Sequence, residues 1–254
     1  MASPTRAILF DFGGTLDHPH HWLDRFVRHY HAAGMRLSRA ELDVAYSHAT
    51  RTAYGAGDEI HGHSLRALVR LLVDHQFAHL HRHGPDNVRE HLSDLGEDRH
   101  DLAERIASSF AEESAAGLER SRDLLKELSR DFKLGVVSNF YGNLQVVLFE
   151  AGIRELIQVA IDSKHMRVFK PDERIFVAAL KVLDLPHNQV AMVGDSLHKD
   201  CAPARKLGMR SIWLRGHHAG PGEHSQAGEA AALADHTIDT LDELRDLNLK
   251  DSKW

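Results

Sequence analysis

Asp11-Phe12-Gly13-Gly14-Thr15-Leu16 (DFGGTL) follows directly on the apolar run Ala7–Phe10 (AILF). A short uninterrupted apolar run that breaks into paired glycines reads as a buried strand feeding a tight loop. The carboxylate of Asp11 then stands where the strand ends. Outward from this junction the pattern repeats. Lys133–Ser138 (KLGVVS) is a strand ending in Ser138-Asn139, and Val190–Val193 is a strand ending in Gly194-Asp195. Further strands are expected at Leu156–Ile161, Ser211–Leu214 and Thr237-Ile238. Helices are expected at Ser121–Arg130, Asn143–Ala151, Asp172–Leu183, Lys199–Leu207 and Leu241–Leu247. Strands alternating with helices of this length predict βαβ units and a parallel sheet. In such sheets ligands bind beyond the carboxyl ends of the strands, where Asp11, Ser138 and Asp195 would meet.

Between the first and second strands the rhythm is different. From Trp22 to about Gly117 the chain is rich in Ala, Leu, Arg, Glu and His. It is punctuated at Ala33-Gly34, Gly55-Ala56-Gly57, His83-Gly84-Pro85 and Gly96. Leu65, Leu68, Val69 and Leu72 recur at helical spacing, as do Leu102, Ile106 and Phe110. The predicted architecture is an α/β core of residues 1–17 and 119–254, interrupted after its first strand by a helical cap of residues 18–118. No internal repeat is present.

The chain has 254 residues, 43% of them hydrophobic and 27% charged, as in ordinary globular proteins. A formal charge of −6 offers no basic field for nucleic acid or an anionic membrane. No apolar stretch reaches the roughly 18 residues of a membrane span. The first residues are too short and too charged for a signal peptide, and Cys201 is the single cysteine. A cytoplasmic location is the expectation.

Taken singly, each motif has a bland reading. A strand-end Asp before two glycines is often a turn, and Gly-Asp-Ser is often a helix cap. Their order decides otherwise. DFGGTL at Asp11–Leu16, VVSN at Val136–Asn139, FKPDERIF at Phe169–Phe176 and VGDSLHKD at Val193–Asp200 resemble the four ordered motifs of the haloacid dehalogenase superfamily. A helical cap between the first and second resembles its C1-capped subfamily, with a Rossmann-like core. The resemblance implies a phosphatase-type hydrolase in which Asp11 attacks phosphorus, forming an aspartyl-phosphate and dividing one hard step into two. It implies Mg²⁺ bound by Asp11, the carbonyl of Gly13, Asp195 and Asp200, all hard oxygen donors. Lys170 would add a fixed positive charge. Thr15, Ser138, Asn139 and the amides of Phe12, Gly13 and Gly14 would hold the phosphoryl group of a small phosphorylated substrate.

One departure matters. Phosphatases of this family usually carry a second Asp, the general acid for the leaving group, where this chain has Gly13. Losing such an acid typically removes about 10²–10⁴ in rate for a poor leaving group. Phosphonoacetaldehyde hydrolases also lack it but use a cap lysine, and here no lysine precedes Lys126. Haloacid dehalogenases lack it and attack carbon without a metal, but do not normally keep a Gly-Asp metal motif such as Gly194-Asp195. There remain a phosphatase with a substitute acid or good leaving groups, with a haloacid dehalogenase-type hydrolase and a phosphate-binding module that has lost turnover as the alternatives. Of 21 histidines, fourteen fall before residue 125, and His18, His20 and His21 lie just beyond the first motif. Histidine is a competent acid near neutral pH, although exposed helix and loop positions explain most of these residues equally well. His75, His79 and His83 repeat every fourth residue, the spacing of a solvated helix face. Cys201 reads as a small packed residue, and the Gly/His segment His217–Gly228 as a surface loop.

Overall fold

A computed structural model describes residues 3–55, 57–215 and 232–251, apart from the side chain of Asp58. The segment His217–Gly228 lies outside the described residues. Two compact units emerge: Met1–His21 with Ala116–Trp254, and Trp22–Ala115.

The first unit is built on a parallel sheet. Its strands among the described residues are β1 (Ala7–Phe10), β2 (Lys133–Ser138), β3 (Ile157–Asp162), β4 (Val190–Gly194), β5 (Arg210–Leu214) and β6 (His236–Ile238). Their order is β3-β2-β1-β4-β5-β6. All four residues of β1 have zero exposure, as a continuous apolar run in a sheet covered on both faces requires. Phe10 lies opposite Val136 on β2 and Val193 on β4. That register brings Asp11, Ser138 and Asp195 out at the same edge. The Asp11 amide donates to the Val193 carbonyl at 2.9 Å, extending the ladder to the point where the loop departs.

Crossover helices follow the strands: α6 (Leu144–Glu150), α7 (Ser163–Met166), α8 (Arg174–Leu183) and α9 (Ala202–Lys206), numbered after five helices described below. Four expectations shift. The one-turn helix α7 has no pattern of its own; Asp162 caps it by accepting from the Lys164 amide at 3.0 Å. The stretch expected as one helix over Lys199–Leu207 opens with a wider turn at Leu197–Cys201 before α9. The last expected helix is only a tight 3₁₀ turn, Leu241–Arg245, held by Thr240 and Glu243 as a reciprocal capping box.

The fourth shift concerns Gly117. Instead of ending the helical region, it lies within one long helix, α5 (Asp98–Leu128). A Cβ at Gly117 would overlap the Asp17 carbonyl oxygen. Ser121 Oγ, one turn on, donates to the Leu16 carbonyl at 2.7 Å. This glycine permits close approach of the helix to the loop behind Asp11, a role that outweighs its poor helix propensity.

The second unit is helical: α1 (Trp22–Ala32), α2 (Arg39–Gly55), α3 (Leu65–His83), α4 (Asp86–Asp94) and the first half of α5. Phe26 stacks on Phe110 with ring centroids 4.6 Å apart, and Trp22 meets the same ring edge-on. Arg25 is wholly buried, with its guanidinium 3.8 Å from the Phe110 centroid. Its Nε pairs with Glu113 at 2.8 Å, and its Nη2 donates to the Phe110 carbonyl and Ser114 Oγ. A buried guanidinium is tolerated because those partners satisfy it. Among the described residues no helix is long and apolar enough to cross a membrane.

Candidate active site

Two strand ends, the turn beyond β4 and the loop after α7 converge on one buried charge cluster. Asp11 leaves β1, and Asp195 follows β4. Asp200 lies in the turn beyond, and Lys170 comes from the segment before α8. Lys170 Nζ sits 2.7 Å from Asp11 Oδ1 and donates to Asp200 Oδ1 at 2.6 Å. Asp200 has zero exposure, Lys170 is 4% exposed, and Asp11 and Asp195 are each 8% exposed. Asp11, Asp195 and Asp200 each present a carboxylate oxygen within 4.8 Å of the others, the one such group of three among the described residues.

The electrostatics follow from this packing. Burial acts to strip the Lys170 proton, but Asp11 and Asp200 outweigh it and hold the ammonium's pKa well above its ordinary value. Burial pushes the Asp195 carboxyl well above the usual range, and the charges of Asp11 and Asp200 add to the push. Asp200 is raised to about 6, chiefly by burial and further by Asp11, against the opposing pull of Lys170. Three carboxylates and one ammonium leave the cluster short of positive charge. A hard divalent cation fits this donor set and deficit.

Two glycines make the approach possible. Gly14 has a φ of +82°, and a Cβ there would overlap Asp195 Oδ2. A Cβ on Gly194 would stand 2.6 Å from Asp200 Cβ. Gly13, by contrast, has φ −78° and ψ 122°, extended backbone open to any residue.

The remaining expected site residues are distributed as follows. Thr15 is buried, and its hydroxyl has no hydrogen-bond partner among the described residues. Ser138 is buried at the end of β2, and Phe12 is buried edge-on against Phe140. Two residues differ from the expected phosphate contacts. The Gly14 amide is already engaged by Asp17 Oδ1 at 2.9 Å, because the left-handed turn points it back into the loop. Asn139 grips the main chain of Lys170 instead. Its Oδ1 accepts from the Lys170 amide at 2.7 Å, and its Nδ2 donates to the Lys170 carbonyl at 3.0 Å.

Sequence reasoning passed over four supporting residues. Asp17, three residues after Gly14, is fully buried and ties the loop. An Asx-type turn was the available signal. Trp213 on β5 donates its indole Nε1 to the Asp195 carbonyl at 2.9 Å. Asp162 accepts from the Gly142 amide at 2.8 Å, and Ser163 accepts from the Phe140 amide at 3.1 Å, which together pin the loop after β2. A strand tryptophan or a strand-end aspartate carries no pattern that distinguishes such work from packing. His18 and His20 contact each other through Nδ1 at 3.2 Å.

Comparison with known proteins follows the same lines. The family model for haloacid dehalogenase-like hydrolases matches residues 5–208. Haloacid dehalogenase-like hydrolase domain-containing protein 3 of Danio rerio is 27% identical over an alignment covering 96% of each chain. A ribulose-1,5-bisphosphate 5-phosphatase of Halopiger xanaduensis is 29% identical over 58% of this chain and 62% of its own. A crystal structure of a dehalogenase with an intermediate complex superposes with a TM-score of 0.63, covering 99% of this chain and 100% of that one. Its 18% identity speaks for the fold alone. The matched span contains all four carboxylate and ammonium positions of the buried cluster, and the chain belongs to the haloacid dehalogenase-like hydrolase family.

Proposed function

We propose that this hydrolase is a Mg²⁺-dependent phosphatase acting on a small phosphorylated metabolite through Asp11, with the helical unit Trp22–Ala115 as a C1-type cap and the cytoplasm as its location. The observation that carries the reading is the ammonium of Lys170, 2.7 Å from Asp11 and 2.6 Å from Asp200, beside a buried Asp195. A nucleophile for a phosphate dianion needs positive charge around it, and this cluster is arranged to collect it. Asp11, the carbonyl of Gly13 and Asp195, with Asp200, would hold Mg²⁺, which supplies charge that offsets the repulsion between carboxylate and phosphate.

On this reading Asp11 uses one carboxylate oxygen to attack phosphorus. The bond from phosphorus to the leaving oxygen breaks, and that oxygen departs with the electron pair. Lys170 holds Asp11 in place and neutralises charge that gathers on the phosphoryl oxygens. Thr15 has a buried hydroxyl to offer the phosphoryl group, and Ser138 stands at the neighbouring strand end. Water then cleaves the aspartyl-phosphate, returning Asp11 and releasing phosphate. Asn139 acts one step back, by fixing the Lys170 main chain.

Gly13 leaves the departing oxygen without the usual proton donor, which favours acyl and aryl phosphates over sugar phosphates. The same residue is what a dehalogenase reading would rest on. Phosphate release from acetyl phosphate, with and without Mg²⁺, separates them. The phosphatase reading expects Mg²⁺-dependent turnover that Asp11→Asn abolishes while circular dichroism stays unchanged. Chloride release from 2-chloropropionate in EDTA, with no phosphate release, would establish the dehalogenase instead.

A further inference from the structure

We propose that α2 and α3 of the helical unit carry a second, imidazole-lined metal site, formed by His48, His79 and His83 and suited to a borderline ion such as Zn²⁺. The His48 and His79 rings lie with centroids 4.8 Å apart, and His79 and His83 lie 5.0 Å apart. Two imidazoles bound to one tetrahedral Zn²⁺ at 2.0–2.1 Å hold their ring centroids about 5 Å apart. Those two neighbouring pairs therefore stand near the separation the ion imposes, with the ring nitrogens not yet gathered about one centre. On metal binding, rotation about χ2, a broad and soft torsion, would bring a nitrogen of each toward a shared centre. His79 and His83 are one helical turn apart on α3, so the helix itself presents them together.

Several charged groups surround the cluster. His75, one turn before His79, is lowered from its ordinary pKa by burial and by His48, against an opposing pull from Asp74. His79 is lowered by burial, by His48 and His83, and by Arg51 and Arg82. His79 is thus biased toward the neutral form, the form that binds metal. Arg51 and Arg82 also repel a bound cation, but both side chains are exposed and free to swing outward. The site is chemically distinct from the carboxylate cluster. Imidazole selects Zn²⁺, Cu²⁺ or Ni²⁺, whereas three carboxylates select a hard ion.

The test is calorimetric titration of the untagged, EDTA-stripped full chain with Zn²⁺ at pH 7.5. His48→Gln, His79→Gln and His83→Gln are compared with His81→Gln, whose Nε2 instead contacts Ser93 Oγ at 3.1 Å. The expected result is saturable binding that His79→Gln and His48→Gln each weaken at least about tenfold. His81→Gln should leave it unchanged, and Zn²⁺ should raise the thermal midpoint of wild type but not of His79→Gln. Equal affinity in wild type and His79→Gln would place the Zn²⁺ elsewhere on the chain and overturn the proposal, as would no binding at all.

Discussion

Replacing Lys170 by Met keeps the length of the stem and removes the ammonium held 2.7 Å from Asp11 and 2.6 Å from Asp200. Three buried carboxylates, with oxygens within 4.8 Å of one another, then lose their nearest counter-charge. Deleting one partner of a buried ion pair costs about 3–5 kcal/mol, most of it the penalty of the charge left behind. The folded protein has one way to relieve that penalty, which is to bind a proton. Asp200, already raised to about 6 with Lys170 present, moves higher without it. Each further pKa unit is worth about 1.4 kcal/mol. The sign follows from proton counting. The Lys170 proton is present in folded and unfolded wild type alike and cancels; on the carboxylates, the folded variant binds more protons than folded wild type between pH 5.5 and 7.5, whereas the unfolded chains do not differ there. Its deficit is therefore largest at pH 7.5 and shrinks as the pH falls. Urea unfolding in EDTA at both pH values, followed by tryptophan fluorescence, measures the gap directly. With Mg²⁺ present, acetyl phosphate turnover should fall by about 10²–10³, the usual cost of losing a fixed charge at the reacting centre. An unaltered midpoint at pH 7.5, or a gap that widens on acidification, would refute the role of Lys170 as the cluster's counter-charge.

Two further substitutions test neighbouring parts of the site. Gly13→Asp enters backbone that any residue can adopt, and it should raise turnover of alkyl phosphates about tenfold or more while helping aryl phosphates little. Equal gains for both classes would show that proton delivery is not what the wild type lacks, and a Mg²⁺ titration alongside identifies a misplaced carboxylate. Trp213→Phe keeps an aromatic side chain but removes the donor to the Asp195 carbonyl; Mg²⁺ should bind about tenfold more weakly, as when a ligand's support is lost. Unchanged calorimetric affinity would reduce that hydrogen bond to simple packing.

The central strands β1 and β4 were legible because each is a short apolar run leading to a strand-end carboxylate, and full burial leaves little else such a run can be. The breaks between helices were legible for a related reason: Gly34, Gly55, Gly84 and Gly96 fall at or beside the ends of α1 to α4. Gly117 misled because a glycine that stops a helix and one that lets a helix approach a loop look identical in sequence. Only the Asp17 carbonyl, a hundred residues earlier, tells them apart. Asn139 illustrates a second limit. Its place after Ser138 at a strand end put it near the site, but its hydrogen bonds run to the main chain of Lys170, which no local pattern encodes. Trp213 is the same case from the far side of Asp195. The four members of the charge cluster were legible in their motifs, whereas the residues that hold them still are found only in three dimensions.

Gly14 and Gly194 leave Asp195 and Asp200 pressed against bare backbone, with no side chain that can yield. Donors fixed in this way turn ionic radius into a criterion. Ca²⁺ prefers six to eight oxygens at about 2.3–2.6 Å in a pliable shell, whereas Mg²⁺ asks for fewer protein ligands at about 2.0–2.1 Å and keeps its own waters. On the proposed Mg²⁺ reading, a cluster backed by bare main chain would disfavour the larger ion by size, without any added charge. The smallest residues of the chain would thereby set which cation its acids accept.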